Sequence, residues 1–531
     1  MRIGEYGVMK SQSRRDFLTT SVAMAFSAAI ARDALAQRLD SRAGAEWDYR
    51  TAKELVAALQ GRKISAIELA EHVIARIDAL DPRLNAVVVR DLDRARDAAK
   101  AADVAIARGE RQPLLGIPML VKESFNVTGL PTTWGIPTAK DWIAKDDAVA
   151  VARLKAAGAV ILGKTNVPFV LADWQSYNEI YGTTNNPWDP GRTPGGSSGG
   201  SAAALAAGFG SLSIGSDIGG SLRVPAHYCG VCAHKPTLGL VPLRGQTPPG
   251  FPALPREIDL AVAGPMARSA GDLALALDVI AGPDEISGGV AYRLALPAPR
   301  HHELKGFRVL VIDTHPLLPT ATTVSNALDR LAQRLVKAGV KVGRESPLLP
   351  DLANSARLYM RLLMPVFSAA WPLDQYRQAQ VAAEAFKPED KSLAAERSRG
   401  TVLSHRDWLA ADGARAGLQQ RWRELFREWD VVLCPPMPTP AFPHDHSTPF
   451  SARHIDIDGK EYPYSDQLVW PELATTPGLP ATAVPIDHSE TGLPIGVQIV
   501  GPYLEDRTTM AFAELLEREF GGFVPPPGYA G

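Results

Sequence analysis

Short extended runs alternate with helical patterns along most of this chain, and that alternation restricts the fold more than any other feature. Leu114–Val121, Ala159–Leu162, Ser211–Ile214, Phe307–Ile312 and Val431–Leu433 are too short for helices, and most are apolar throughout, as strands covered on both faces are. Helical patterns occupy residues 91–107, 147–157, 201–207, 322–338 and 507–518. Residues 51–80 read as two helices, because Thr51–Glu54 and Ser65–Glu68 both have the Ser/Thr-x-x-Glu form of a capping box. Leu69, Val73, Ile77 and Leu80 then share one face, and Asp81-Pro82 ends the second helix. Strands alternating with helices predict a layered α/β fold with a largely parallel sheet. Residues 370–428 read as helical and charged, and Pro435–Pro449 as a proline-rich loop; neither carries a motif.

Composition excludes several classes. At 46% hydrophobic and 21% charged residues the chain is globular, and a net charge of −2 offers no electrostatic basis for holding nucleic acid or an anionic membrane. Three cysteines, Cys229, Cys232 and Cys434, exclude a disulfide scaffold. The N-terminus is an address. Arg14-Arg15 precede an apolar run from Phe17 to Ala31, which ends in Ala34-Leu35-Ala36. This has the form of a signal peptide of the twin-arginine type, cleaved after Ala36, and predicts a periplasmic or secreted protein. The run is shorter than the ~18–20 apolar residues of a spanning helix, and no later segment is longer, so no stable membrane anchor is expected. Met9 is a possible alternative start. Residues 37–49 read as a linker, 50–520 as one catalytic domain and 521–531 as a C-terminal tail.

Two Gly/Ser loops carry the chemistry. Gly195-Gly-Ser197-Ser198-Gly-Gly-Ser201 leads into a small-residue helix. Gly215-Ser-Asp217-Ile218-Gly219-Gly220-Ser221-Leu-Arg223 follows an extended run. A serine on such a turn lies beside unpaired backbone N–H groups, the requirement of an oxyanion hole. A serine nucleophile needs a base, and no histidine is well placed. Lys122, at the end of an apolar strand, is the candidate: burial would have to bring its pKa from about 10.4 toward neutrality. The alternative is a structural lysine paired with Glu123, although neighbours on a strand point to opposite faces. Asp217 and Arg223 read as an ion pair holding the turn.

Three further patterns are set aside. Gly195–Gly199 matches the G-x-S-x-G nucleophile elbow, but Asn185–Pro194 is turn-rich where the elbow requires a strand, so Ser221 is preferred to Ser197 as nucleophile. Gly158–Thr165 matches a P-loop, but its variable positions are Ala-Val-Ile-Leu, a buried strand rather than a phosphate-wrapping loop. His227, Cys229, Cys232 and His234 have metal-ligand spacing, yet buried thiols under a tight loop are the better reading, and no metal is expected.

The two serine loops, with Gly116–Glu123, Gly163-Lys-Thr-Asn, Asn186-Pro-Trp-Asp, His234-Lys-Pro-Thr, Gly264-Pro-Met-Ala-Arg, Leu479-Pro-Ala and Gly492–Pro502, closely resemble the amidase signature family over residues 50 to 515. The resemblance implies a single α/β/α domain around a large mixed β-sheet. It also implies a Ser–cis-Ser–Lys triad that needs no cofactor. Ser221 would attack the amide carbonyl, Ser197 would follow a non-proline cis peptide and relay the proton, and Lys122 would be the final base. Backbone N–H groups of Ile218, Gly219, Gly220 and Ser221 would hold the oxyanion, with Ser198, Asp217 and Arg223 in support. By analogy, Trp174, Gln175 and Tyr177 line the substrate pocket. The implied partner is a small amide, aliphatic or aryl, and a homodimer is expected from the family alone. Two other readings remain: a glutaminase-type amidotransferase subunit, which the export signal argues against, and a non-catalytic binding protein, which the intact triad argues against.

Overall fold

Eleven strands make one sheet, and most of its interior strands are buried along their whole length. In chain order they are β1 (Val87–Arg90), β2 (Pro118–Lys122), β3 (Val160–Thr165), β4 (Leu212–Asp217), β5 (Cys232–Lys235), β6 (Val262–Ala267), β7 (Arg308–Val311), β8 (Lys341–Gly343), β9 (Val431–Cys434), β10 (Ala481–His488) and β11 (Pro494–Val500). In space they run β1-β3-β2-β4-β6-β5-β10-β11-β9-β7-β8. The computed structural model describes residues 46–530. The expected signal peptide over 1–36 and all but the last four residues of the linker over 37–49 lie outside the described residues.

The expectation of a largely parallel sheet is corrected. β2 is parallel to β3 and β4, and β7 is parallel to β8 and β9. Every other neighbouring pair is antiparallel, so the sheet is mixed. The reason lies in the connections. Parallel neighbours need a crossover helix, whereas β10 and β11 are joined by the short turn around Gly492 and enter the middle of the sheet as a hairpin.

The predicted helices form where their signals stand. Both capping boxes are made: Thr51 and Glu54 close the start of the helix Ala52–Gln60, and Ser65 and Glu68 that of Ala66–Leu80. Thr322–Lys337 buries Val324, Leu328, Leu331 and Leu335 on one face. Each such side chain contributes ~1.5–3 kcal/mol by leaving water. The helix Leu352–Ser368 is not among the expected elements, although Asp351 caps it and Leu352, Ala356, Tyr359 and Leu363 repeat along one face; Pro365, which normally stops a helix, falls in its last turn. Equally unexpected is the hairpin His454–Ile457 with Lys460–Pro463. Its turn, Asp458-Gly459, has φ of 53° and 80°, the left-handed pair that an Asp-Gly dipeptide favours.

Tyr49–Ala530 form one compact α/β unit. The expected tail over 521–531 joins it as far as Ala530: the Tyr529 carbonyl accepts hydrogen bonds from the Tyr49 hydroxyl at 2.6 Å and from Arg76. What matters for function is the parallel pairing of β2 with β4. It brings Lys122 and Asp217, the last residues of both strands, to the same edge of the sheet, where open α/β sheets place their ligands.

Candidate active site

β2 is buried along its whole length, so the lysine that ends it leaves the sheet inside the protein. Lys122 is fully buried, with Nζ 2.7 Å from Ser197 Oγ and 3.0 Å from Ser216 Oγ. Burial pulls its pKa from the ordinary lysine range down to about 7, with the Asp217 carboxylate partly opposing the fall. Glu123 is not its partner. That carboxylate accepts the N–H of Thr133 and Trp134, and the cation whose charge acts on it is Lys164. The two side chains have separate partners, although Glu123 lies in the turn just beyond the strand and not in the strand itself.

Ser197 follows a cis peptide at Gly196, as the resemblance implied. Glycine is required at 196 because a Cβ there would collide with the backbone of Asp173 and Gln175. Ser198 precedes the helix Gly199–Ala206 without a capping side-chain bond, and its N–H donates to the Ser221 carbonyl at 3.2 Å, which ties the two serine loops together. The Ser198 hydroxyl reaches the Ser216 carbonyl at 3.3 Å. The Ser221 side chain makes no hydrogen bond among the described residues. Of the expected relay, then, the Lys122–Ser197 half is formed and the Ser197–Ser221 half is not. Catalytic hydrogen bonds are often long in a resting enzyme and tighten around substrate.

The turn before Ser221 is built on one ion pair. Arg223 and Asp217 are both fully buried, 2.8 Å apart. Every guanidinium nitrogen has a partner: Nε and Nη2 bind Asp217, Nη1 binds the Pro471 carbonyl and Gln498, and Nη2 also binds Thr475. Burial alone would raise the Asp217 pKa, but the Arg223 guanidinium outweighs it and holds the carboxyl at about 2. The same carboxylate accepts the N–H of Gly220 at 2.9 Å and of Leu222 at 3.0 Å. This corrects one expectation. Gly220 offers no free N–H for an oxyanion, because Asp217 holds it. Ile218, Gly219 and Ser221 do, since their N–H groups meet no acceptor among the described residues.

The three expected pocket residues part company. Trp174 donates Nε1–H to the Gly219 carbonyl at 2.9 Å, so it packs on the serine turn. Gln175 is buried, with both ends of its amide on the Asp445 backbone. Tyr177 stacks on His446 at 3.6 Å and binds Arg453.

The set-aside patterns resolve physically. Gly163, Lys164 and Thr165 lie in β3, and Lys164 Nζ binds Thr132 Oγ1 and the Pro131 carbonyl instead of a phosphate. No strand leads into Gly195. The histidines of the Cys/His cluster face different partners: His227 binds Thr439 and Gly496, and His234 binds Thr482 and Asp506. Cys229 and Cys232 are buried free thiols.

Two residues join the site that the motifs did not single out, Ser216 and Gln246. Ser216 Oγ lies on Lys122 and accepts a hydrogen bond from Gln246 Nε2 at 3.1 Å. Ser216 was readable, since it precedes Asp217 on a strand aimed at the site. Gln246 arrives from a distant loop with no local signal.

The family model described as Amidase matches residues 68–510. The indoleacetamide hydrolase of Bradyrhizobium diazoefficiens is 34% identical over 90% of this chain and 87% of its own length. A glutamyl-tRNA(Gln) amidotransferase component from Anaeromyxobacter sp. (strain K) is 35% identical over 90% of this chain and 97% of its own. Among solved structures, a bacterial aryl acylamidase superposes with a TM-score of 0.73, covering 91% of this chain and 98% of its own at 24% identity, which speaks to the fold.

Proposed function

Because the chain belongs to the amidase signature family, whose hydrolases act on amides, we propose that it cleaves the C–N bond of small carboxylic amides through a serine acyl-enzyme. Ser221 Oγ attacks the carbonyl carbon, its proton passes through Ser197 to neutral Lys122, and the carbonyl oxygen becomes an oxyanion facing the Ile218, Gly219 and Ser221 N–H groups. Collapse expels the amine, which takes the proton back from Lys122. Water, activated by the same relay, then releases the carboxylic acid.

The observation that carries this reading is the 2.7 Å contact between Ser197 and a lysine in a dry interior. An amine with a pKa of about 7 is half neutral at physiological pH and can accept a proton without a histidine. Catalysis needs the neutral amine, so kcat/KM rises with pH through about 7 and falls below it. A pH–rate profile checks this; a flat profile from about pH 5.5 to 8.5 would remove Lys122 as the base.

Trp174, Tyr359 and Leu468 share one apolar cluster, with Ile218 packed against it, beside the serine turn. Such a wall favours an aliphatic or aryl acyl group over the charged backbone of glutamine, and esters are expected to react too. The twin-arginine pattern supports the same choice over an amidotransferase component, since it directs the chain away from cytoplasmic tRNA. A panel of aliphatic, aryl and peptide amides, with matching esters and glutamine, tests this on the purified chain. Added hydroxylamine diverts the acyl-enzyme to a hydroxamate. Hydrolysis of apolar amides with hydroxamate formation is expected. Glutamine as the sole substrate, active only with an added partner, would instead establish the amidotransferase reading.

A further inference from the structure

The peptide that joins Ile218 to Gly219 is tied at one end and free at the other. Its carbonyl accepts the Tyr359 hydroxyl at 2.5 Å. Its N–H, that of Gly219, meets no acceptor among the described residues. The peptide is trans, so carbonyl and N–H point in opposite directions, and fixing one aims the other. The next peptide is held at both ends: the Gly219 carbonyl by Trp174 Nε1 at 2.9 Å, and the Gly220 N–H by Asp217 at 2.9 Å.

This matters because the turn contains two consecutive glycines, the residue type with the widest choice of backbone conformations. Left alone, the Gly219 N–H would sample many directions. An oxyanion hole works only if its donors are aimed before the reaction begins. Tyr359 is fully buried in the apolar cluster that includes Trp174, Leu468 and Trp470. The Ile218 carbonyl is the one hydrogen-bond partner of its hydroxyl among the described residues. Contact is close on that side, since a Cβ on Gly219 would lie 3.3 Å from Leu468 and 3.5 Å from the Tyr359 hydroxyl. A hydrogen bond to a carbonyl also polarises the peptide and strengthens donation by its N–H.

We propose that Tyr359 is a positioning residue for the oxyanion hole: its hydroxyl holds the Ile218–Gly219 peptide so that the Gly219 N–H meets the oxyanion, while Trp174 steadies the following peptide. The inference rests on the serine acyl-enzyme reading above.

The test is Tyr359→Phe in the full-length enzyme, with Ser221→Ala alongside. A trifluoromethyl ketone analogue of the best substrate is the probe. Its carbonyl carbon bonds to Ser221 Oγ, the serine proton passes to the base, and the carbonyl oxygen becomes an oxyanion in the hole. Tyr359→Phe is expected to lower kcat by about 10- to 100-fold with KM little changed. Affinity for the ketone should fall by the same factor as kcat/KM, while affinity for an unreactive substrate-like amide stays constant. A merely structural role would move both affinities or neither, and either pattern overturns the proposal. Full activity in Tyr359→Phe beside an inactive Ser221→Ala removes the tether and leaves the nucleophile standing. Turnover surviving in Ser221→Ala removes both. Should Tyr359→Phe fail to fold, Trp174→Phe removes the neighbouring Nε1 donor together with part of the buried ring, so its losses are read only through their proportionality. Proportional losses in kcat/KM and ketone affinity support the tether, and unequal losses reject it.

Discussion

Ser221→Ala is expected to leave the protein folded and to lower kcat for any amide by about 10⁵- to 10⁶-fold, the scale on which serine hydrolases lose turnover with their nucleophile. The change deletes one hydroxyl that has no hydrogen bond among the described residues, so nothing buried is left unpaired and thermal stability should hardly move. Lys122→Met is the companion. Methionine keeps the volume of the lysine stem and cannot accept a proton, so turnover should fall by about 10³- to 10⁵-fold. The double variant should be scarcely worse than Ser221→Ala alone, because groups that act as one relay lose their effect together. Multiplied losses in the double would show that serine and lysine act independently.

Lys122→Met also carries a stability signature. The folded pKa of Lys122 is about 7, against about 10.4 for an unfolded lysine. The unfolded chain therefore binds the extra proton first as pH falls, and this lysine weakens folding increasingly from about pH 10 down to about 7, below which the penalty is constant. The methionine variant escapes it. Its stability gain over wild type should be greatest at about pH 7 and below and should vanish towards about pH 10, as denaturant titrations at several pH values can measure.

Arg223→Leu is expected to destabilise the fold by about 3–5 kcal/mol, because it leaves the Asp217 carboxylate buried without its counter-ion. The same change leaves Gln498 Oε1 without its donor and removes the guanidinium's ties to the Pro471 carbonyl and Thr475, which then keep only the hydrogen bond they make to each other. Activity should fall with stability, since Asp217 also holds the Gly220 and Leu222 N–H groups. Arg223→Lys should not rescue: one ammonium has three donors, and the guanidinium serves five contacts in a fixed plane. Denaturant midpoints read against wild type decide the matter. A loss below about 1 kcal/mol would mean that Asp217 tolerates burial alone or takes up a proton without strain.

Much of this was legible in the chain. Both capping boxes, the buried strands at Lys122 and Asp217, the Asp217–Arg223 pair and the proximity of the two serine loops follow from local pattern or motif spacing. The unread parts share a cause. The helix that carries Tyr359 has a readable cap at Asp351 and an apolar face, but Pro365 obscures where it ends, because a proline in the last turn looks the same in sequence as one that stops a helix. A largely parallel sheet is the natural expectation because short apolar runs look alike in either direction, and the turn that makes β10 and β11 antiparallel carries its own weak signal. Gly220 looks like a free donor because Gly-rich motifs show which N–H groups are available, not which a nearby carboxylate has already taken.

Residue types and spacing by themselves determined which groups could react: a lysine at the end of a buried strand and two serines on glycine turns. They did so because burial, strand alternation and glycine's conformational range are local properties. Only the tertiary structure decided which peptide N–H groups stay free, which side chain aims them, and whether Lys122 faces Ser197 or Glu123. Those outcomes depend on directions set by elements far apart in the chain, and hydrogen bonds are selective in direction where hydrophobic pattern is not.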